Sequence, residues 1–342
     1  MSKLYGNELL RALSDVFAPT ANEGKAAELI IEQIGDDAEV SIDRVGNVIA
    51  KISPAGEAKG KVMFLTHMDE PGFIVKDIDG EGKVWFKLYG TIPTERISGR
   101  LGIIGGEVPC IFSAKPIHAL SRDDRTRATM AERIYAEIGA KNKESAEAKV
   151  KPFDMGTFAP SFGEIGNYIK GKSLGNRSMC AALIELIRKI RAEKCATDNE
   201  LYFVFATRGE IGGSGATVAS YVIDPTRAVV LDGIDAFDTA GVPGEKRVSE
   251  LGHGAVIMYG DGRTLFSREL IGGLAKYADE NGVPYSYSTP TMQGGEGAAA
   301  QRTTGGCECV GISIPTRYRK SASEMICKGD YDAVLALAMT LI

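Results

Sequence analysis

The chain has 342 residues, of which 44% are hydrophobic and 25% charged, and its formal net charge is −5. These values are ordinary for a globular protein, and at roughly 150 residues per domain the length predicts two domains or one large domain with an insertion. No run of lysines and arginines is dense enough to indicate nucleic acid as a partner. No stretch approaches the roughly 18 apolar residues that a membrane span requires, so we expect no membrane partner.

The first residues lack the basic start and apolar core of a secretion signal, and we expect a cytoplasmic protein. Six cysteines in a chain of this length do not make a disulfide scaffold. Two of them, Cys307 and Cys309, stand close together and could hold a soft metal. Cys309 lies in an alternating, strand-like run, however, which favours two buried or half-buried thiols.

The first part of the chain combines helix and strand patterns. Apolar residues at helical spacing predict helices over residues 8–17 and 24–34. Strand signals follow at residues 39–43, 48–52 and 61–66.

Residues from about 72 to 163 differ in composition. Short strand-like runs with glycines between them occur at residues 72–75, 83–87, 101–104 and 108–112. A charged, helix-like stretch follows over residues 122–138. This composition is typical of a small β-rich barrel or sandwich.

Alternation of helices and strands then returns. The predicted helices cover residues 180–189 and 330–342, and the predicted strands cover 201–205 and 228–232. The last strand is almost continuously apolar, as expected where helices cover both faces of a sheet. We therefore predict an α/β fold with a mixed sheet covered by helices on both faces. Residues 1–70 and 164–342 would form this domain, and residues 71–163 a β-rich, dimerisation-type domain inserted into it.

Three acidic or imidazole groups follow predicted strands. His67 and Asp69 stand two residues apart, so their side chains point the same way on an extended chain, which suits a metal-bound imidazole supported by a carboxylate. Such a pair alone is more often structural. Asp232 ends a predicted strand, at the edge where open α/β sheets bind ligands, and a buried carboxylate there needs a partner or a metal.

Glu210 lies in a loop with four glycines between residues 209 and 215, which allow the backbone to bend tightly around a site. An ordinary loop with a solvated glutamate is the simpler interpretation. The other two histidines, His118 and His253, lack metal-ligand spacing to an acid, and we expect core or surface positions for both.

Taken in order, these segments and several others resemble the M42 family of co-catalytic metallo-aminopeptidases over essentially the whole chain. The matching segments are His67-Met68-Asp69-Glu70 with Gly72-Phe73, Lys115-Pro116-Ile117-His118, Ile138-Gly139-Ala140, Pro160-Ser161-Phe162, Glu210-Ile211-Gly212 with Gly215-Ala216, Asp232, Ile312-Ser313-Ile314-Pro315 with Arg317-Tyr318, and Glu324-Met325. The resemblance implies an aminopeptidase fold, zinc or cobalt as cofactor, a peptide or small-molecule ligand, and a homo-oligomer between a dimer and a dodecamer, assembled partly through the β-rich insertion.

The family's site holds two metals with five ligands, and a glutamate serves as general base. Carried over position by position, the resemblance makes His67, Glu210 and Asp232 metal ligands and Asp69 the catalytic-site support of His67. Two further ligand positions depart from the family, since Gly175 stands at the bridging aspartate and Lys320 at the C-terminal histidine.

The general-base position is also changed, because Gly209 stands there, and Asn176 replaces the acid beside the bridging position. A glycine offers no ligand, and a protonated lysine has no lone pair and repels a cation. One metal site would keep two ligands and the other only one, whereas zinc sites generally have three or four. We therefore expect no metal or one weakly bound metal. Loss of the general base alone costs on the order of 100- to 10,000-fold in rate.

The favoured function is that of a binding or assembly protein without standard two-metal peptidase activity. One alternative is a metal-dependent aminopeptidase with an altered or single-metal site, and another is a metal-free hydrolase that uses Lys320, Asp69 or Arg208. We also predict that Lys320 replaces a metal's charge by pairing with Glu210, with Arg317 as a second basic residue for charge replacement or substrate binding. Drift in an unused site is the competing explanation for Lys320.

Overall fold

The computed structural model describes residues 3–122, 131–288 and 295–342. These residues form eight α-helices, whose bounds are α1 Gly6–Asp15, α2 Gly24–Ile34, α3 Lys143–Glu147, α4 Leu174–Glu193, α5 Ser214–Ile223, α6 Arg268–Asn281, α7 Gly297–Arg302 and α8 Lys328–Met339. None of the described helices has the length and apolar character needed to cross a membrane.

The same residues form seventeen strands. Their bounds are β1 Glu39–Ile42, β2 Val48–Ile52, β3 Lys61–His67, β4 Gly72–Ile78, β5 Val84–Tyr89, β6 Leu101–Ile104, β7 Val108–Ala114, β8 Ile134–Glu137, β9 Met155–Phe158, β10 Gly163–Ile165, β11 Tyr168–Gly171, β12 Glu200–Ala206, β13 Arg227–Asp235, β14 Ala255–Met258, β15 Tyr285–Ser288, β16 Glu308–Thr316 and β17 Glu324–Cys327.

Eight of these strands form one mixed sheet in the order β1-β2-β12-β3-β13-β16-β14-β15. The central strands β12, β3, β13 and β16 run parallel to one another, and β1, β2 and β14 join by antiparallel pairing. Successive residues of β3 and β16 are buried, so both faces of the sheet are covered. The predicted mixed α/β fold is therefore confirmed.

The inserted region contains a closed antiparallel barrel in the order β4-β5-β8-β7-β6-β9. Its core is separate from that of the sheet and contains aromatic rings that meet edge to face, such as Phe112 against Phe73, Phe86 and Phe158. The barrel, rather than the sandwich, is thus the form of the β-rich insertion. Its strands lie between Gly72 and Phe158, and the exact domain limits at residues 71 and 163 stay a prediction.

Two sequence predictions need correction. The helix predicted over residues 122–138 is wrong at its end, because residues 134–137 form β8, in which Ile134 and Ala136 alternate into the barrel core. Residues 123–130 of that prediction lie outside the described residues. The helix predicted over 180–189 extends as α4 from Leu174 to Glu193, and its first turn therefore carries Gly175 and Asn176.

A buried ion cluster ties the barrel to the sheet domain. Glu70 precedes the first barrel strand, and its carboxylate lies 2.7 Å (Oε1) from Lys172 Nζ and 3.8 Å from Arg177 Nη2. The Thr157 hydroxyl, from barrel strand β9, donates to Glu70 Oε2 at 3.1 Å. The charged side chains are at most 1% exposed. Removing any one of them would leave a buried charge without a partner and destabilise the junction between the two domains.

Candidate functional site

The predicted site residues meet at one end of the central strands. His67 is the last residue of β3, Asp232 lies in the neighbouring strand β13, and Glu210 follows β12. Together with Glu296, Arg319 and Lys320 they line a pocket of about 1020 Å³. Asp232 does not end its strand as predicted, because the pairing of β13 with β16 continues as far as Asp235.

His67 is held between two aspartates. Its Nδ1 lies 2.9 Å from Asp69 Oδ1, and its Nε2 lies 3.7 Å from Asp232 Oδ1. Burial opposes a charged imidazole, but the hydrogen bonds and negative charges of Asp232 and Asp69 raise the pKa of His67 well above its ordinary value. These contacts favour the protonated form of the imidazole.

Asp69 supports the glutamate loop as well as His67. Its carboxylate accepts the backbone N–H groups of Gly209 at 2.8 Å and Glu210 at 3.0 Å, and also the Thr20 hydroxyl. Burial works against ionisation, but His67 and these donors hold the pKa of Asp69 below its usual value. Asp69 is fully buried, so it positions its neighbours and does not face a ligand.

Asp232 is paired with an arginine that the sequence analysis did not single out. Arg319 Nη2 lies 3.1 and 3.2 Å from the two Asp232 carboxylate oxygens. Against the effect of burial, Arg319 and then His67 lower the pKa of Asp232 strongly. Arg319 directly precedes Lys320 in the sequence, but nothing in the local pattern indicates its pairing with Asp232.

Glu210 is paired with Lys320, as predicted. Lys320 Nζ lies 2.9 Å from Glu210 Oε2 and 2.7 Å from the Thr91 hydroxyl oxygen. Lys320 has a left-handed backbone (φ 60°), which is uncommon for a residue with a side chain. The loop thus places the Lys320 ammonium beside Glu210 with a backbone conformation that is unfavourable for a lysine.

Arg317 does not join this group of charges. Its Nε and Nη2 lie 2.6 and 2.8 Å from the carboxylate oxygens of Asp238. Arg319, two residues later, supplies the basic group in the pocket that the sequence analysis assigned to Arg317.

At Gly175 and Gly209, where the family has acidic residues, neighbouring groups occupy the space that a side chain would need. A Cβ built on Gly175 would lie 3.3 Å from Arg319 Nε, so the guanidinium fills the space that a side chain from this helix would enter. A Cβ on Gly209 would lie 2.3 Å from His67 Cγ, which no real contact allows. A side chain at position 209 therefore requires the His67 ring to move.

Two buried glutamates complete the site and were not predicted as part of it. Glu324 accepts the backbone N–H groups of Gly175 at 2.8 Å and Lys320 at 2.6 Å, and burial raises its pKa to about 7. Glu296 lines the pocket, and neither of its carboxylate oxygens has a hydrogen-bond partner among the described residues. Burial, followed by the charges of Asp232 and other carboxylates, raises the pKa of Glu296 to about 8 even though His67 opposes this.

The remaining candidates lie away from this centre. The His253 side chain is 64% exposed, which confirms the expected surface position, whereas the side chain of His118 lies outside the described part of the chain. Cys309 is fully buried and Cys307 half-buried, and both are free thiols as predicted. Asn176, by contrast, borders the centre, because its side-chain amide donates to the backbone oxygen of Asp69 and lies 3.4 Å from His67 Nδ1.

Two of the three predicted metal ligands are paired with cations. Within the described ranges, no three His, Cys, Asp or Glu side chains are grouped to hold a metal ion. Asp232 and Glu210, the two predicted carboxylate ligands, are occupied by a guanidinium and an ammonium. Neither cation can donate a lone pair.

The sequence of the chain matches a known family of peptidases. The profile of the M42 peptidase family, described as M42 glutamyl aminopeptidase, matches residues 30–337. The chain belongs to this family.

Individual members of related proteins match this chain over nearly their whole length. A putative aminopeptidase of Acetivibrio thermocellus is 29% identical over 98% of both chains. The crystal structure of a TET aminopeptidase from a marine sediment Thaumarchaeota archaeon has a TM-score of 0.93 at 27% identity, covering 98% of this chain and 95% of that one. The Pyrococcus horikoshii TET1 peptidase, which can assemble into a tetrahedron or a large octahedral shell, has a TM-score of 0.85 at 27% identity and covers 98% of both chains.

Proposed function

We propose that this protein is an M42-family member that binds a peptide or small molecule without the family's two-metal peptide hydrolysis. The observation that carries the proposal is the pair of salt bridges Arg319–Asp232 and Lys320–Glu210. Each places a fixed positive charge on a carboxylate that would otherwise hold a metal.

Electrostatics favours the cations over a metal pair. A divalent ion entering at Asp232 or Glu210 must displace a partly buried, charge-assisted contact and then lies close to the displaced cation. The imidazole of His67, whose pKa is raised well above its ordinary value, must also lose its proton before it can act as a ligand. We therefore propose no metal or one weakly bound metal.

Peptide hydrolysis also lacks a proton acceptor at position 209, where the family has its general base. Gly209 has no side chain, and the His67 ring occupies the space beside it. General-base catalysis contributes roughly 10²- to 10⁴-fold to a rate. Residual hydrolysis at this site should therefore be slow even with a bound metal.

The pocket remains suited to a ligand. Its volume of about 1020 Å³ and its mixture of apolar walls, such as Phe237, Val248 and Phe266, with a few polar groups are typical of small-molecule and peptide sites. Glu296 offers a ligand the unpartnered buried carboxyl described above. A ligand with an N–H or O–H donor can satisfy it.

The alternative is a metal-dependent aminopeptidase with a single-metal site. The family itself and the 3.7 Å separation between His67 Nε2 and Asp232 Oδ1 favour this candidate. Movement of Arg319 together with loss of the His67 proton would make both ligands available to one ion.

We also propose a homo-oligomer, between a dimer and a dodecamer, located in the cytoplasm. Its support is the likeness to solved TET1 peptidase structures, one with a dodecamer in the asymmetric unit and one of a peptidase that can assemble into a tetrahedron or a large octahedral shell. The mass of the native particle, measured by light scattering, tests this part.

The decisive experiment compares the chain with a variant in which metal ligands and base are restored. The variant carries Gly175→Asp, Gly209→Glu, Arg319→Met and Lys320→His. Both proteins are incubated with zinc, dialysed extensively, and measured for zinc per chain and for release of p-nitroaniline from aminoacyl anilides. The matched control is Arg317→Met, which removes a neighbouring cation that pairs with Asp238.

We expect the unaltered chain and the control to retain less than one zinc per chain and to show no zinc-dependent hydrolysis, and the restored variant to retain more zinc. Two zinc ions per unaltered chain, with anilide hydrolysis, would refute the proposal. One zinc that is lost on His67→Ala, together with weak hydrolysis, would establish the single-metal alternative.

A further inference from the structure

Two thiols lie side by side where the chain passes from α7 into β16. The Sγ atoms of Cys307 and Cys309 are 3.6 Å apart, and both cysteines are free. Cys309 is the second residue of β16 and is fully buried, whereas Cys307 lies in the preceding turn and is half-buried. In the described part of the chain no third ligand joins them to form a metal site.

Only one of the two cysteines is open to a reagent. Cys307 lines a surface groove of about 620 Å³ together with Thr226, Gln301 and the adjacent glycines. Cys309 is fully buried and does not line this groove. A reaction that starts from solvent therefore starts at Cys307.

The turn also allows Cys307 to move while Cys309 stays fixed. Cys309 pairs with Ala228 in the sheet, and its carbonyl accepts the backbone N–H of Ser267 at 2.8 Å. Cys307 instead follows Gly305 and Gly306, of which Gly306 has φ 77° and both lack a side chain that would restrict the turn. The Sγ atoms must approach from 3.6 Å to about 2.05 Å to form a bond. Because Cys309 is held in the sheet, Cys307 is the residue that moves.

We infer that Cys307 and Cys309 form a reversible disulfide when the protein meets a small-molecule disulfide. The Cys307 thiolate attacks one sulfur of the external disulfide, forms a mixed disulfide and releases one thiol. The Cys309 thiol then attacks the Cys307 sulfur and passes its proton to the departing thiolate, which leaves as the second thiol. The two cysteines are oxidised by two electrons, and the external disulfide is reduced to two thiols.

The surroundings of Cys307 support its role as the attacking thiol. A hydrogen bond from Cys309 lowers the pKa of Cys307, although burial and the nearby carboxylates of Asp224 and Glu308 oppose ionisation. The same carboxylates repel anionic reagents, so a neutral disulfide is the favoured oxidant. The bond would close a ring across a single residue, which constrains the unfolded chain little, so it is readily reduced again.

Oxidation would act on the wall of the main pocket. The Cys307 thiol donates to the carbonyl of Ala300 in α7 at 3.5 Å, and Ala298, Ala299 and Arg302 of α7 line the pocket. Forming the disulfide removes this donor and draws the turn towards β16. The pocket would thus respond to the redox state of the thiol pair, whether or not it binds a metal.

The test uses the full-length protein and 2-hydroxyethyl disulfide, a neutral oxidant. After equilibration, iodoacetamide labels the remaining thiols. Mass spectrometry then gives the mass of the tryptic peptide 303–317, which contains Cys307, Cys309 and no other cysteine. We expect this peptide to lose two hydrogen atoms, to resist labelling, and to recover on addition of dithiothreitol. Two labelled cysteines in this peptide at equilibrium would overturn the inference.

Single variants test the order of attack and the link to the pocket. Cys309→Ser should accumulate the mixed disulfide on Cys307, while Cys195→Ser, the control at another half-buried thiol, should behave as the unaltered chain does. Oxidation should raise amide hydrogen exchange in residues 297–302 of the unaltered chain but not of Cys307→Ser. A disulfide that forms without this change would refute the link to the pocket wall. Neither outcome depends on metal content or peptidase activity, which decide the proposed function separately.

Discussion

The ion pair between Lys320 and Glu210 gives the most direct test of charge replacement in the pocket. We consider Lys320→Met, which keeps most of the aliphatic stem and removes the ammonium. The Glu210 side chain is only 5% exposed, so the variant leaves a carboxylate in a poorly solvated place. At the observed 2.9 Å the Coulomb attraction is about 6 kcal/mol for an effective dielectric constant of about 20.

The net loss in stability should be smaller than this attraction. Removing the ammonium also removes the cost of burying it, and the Lys320 side chain is 17% exposed. Arg319 also lies close enough to Glu210 to interact with its charge and compensates in part. Since breaking a buried pair costs about 3–5 kcal/mol, we expect a loss of about 2–3 kcal/mol for this partly exposed one.

The assay is equilibrium urea unfolding at neutral pH with a chelator and equal protein concentrations. It is applied to Lys320→Met, Glu210→Gln and the double variant, which together give a coupling energy, expected to be about 1–2 kcal/mol. Lys328→Met is the control, because Lys328 forms an exposed pair with Glu164 and should cost less than about 1 kcal/mol. A loss below about 0.5 kcal/mol for Lys320→Met, with no coupling, would refute charge replacement and favour drift.

Three further predictions concern other parts of the site and its support. Burial raises the pKa of Glu296 to about 8, so the folded protein keeps the proton on this carboxyl at pH values where the unfolded chain has lost it. Relative to Glu296→Gln, the stability of the unaltered chain should therefore fall by up to about 1.4 kcal/mol per pH unit between about pH 5 and 8 and level off above. Urea unfolding at several pH values measures this difference. Gly209→Ala should cost about 1–3 kcal/mol, because its Cβ would overlap His67, and it should shift the imidazole resonances in NMR spectra. Glu70→Gln should cost about 3–5 kcal/mol in thermal or urea unfolding, because it leaves the buried Lys172 ammonium without its countercharge.

Controls separate these effects from general damage. Gly273→Ala, in an open position of α6, should not destabilise the protein, and Glu164→Gln at the surface should have little effect. A constant difference between Glu296→Gln and the unaltered chain across the pH range would contradict the raised pKa. An unchanged His67 resonance in Gly209→Ala, or a stable Glu70→Gln protein, would contradict the packing and the ion cluster respectively.

Local periodicity and the order of the motifs were enough to predict the α/β architecture with its β-rich insertion. Apolar spacing located α2 and strands such as β2 and β6 at their observed bounds. The change in composition after residue 72 indicated the barrel. The pairing of Lys320 with Glu210 also followed from sequence, since a cation at a lost ligand position has an obvious partner there.

The tertiary structure decided which side chains meet. The prediction missed Arg319 because its partner Asp232 lies 87 positions earlier in the chain, and no local pattern joins them. The same holds for Glu296, whose significance depends on burial without a hydrogen-bond partner. The prediction assigned strand β8 to a helix because the charged run before it, over residues 122–133, masked the short alternation of Ile134 and Ala136. That alternation becomes informative only when the barrel closes around it. Spacing along the chain fixes local structure, but the charges that share a pocket are set by long-range packing.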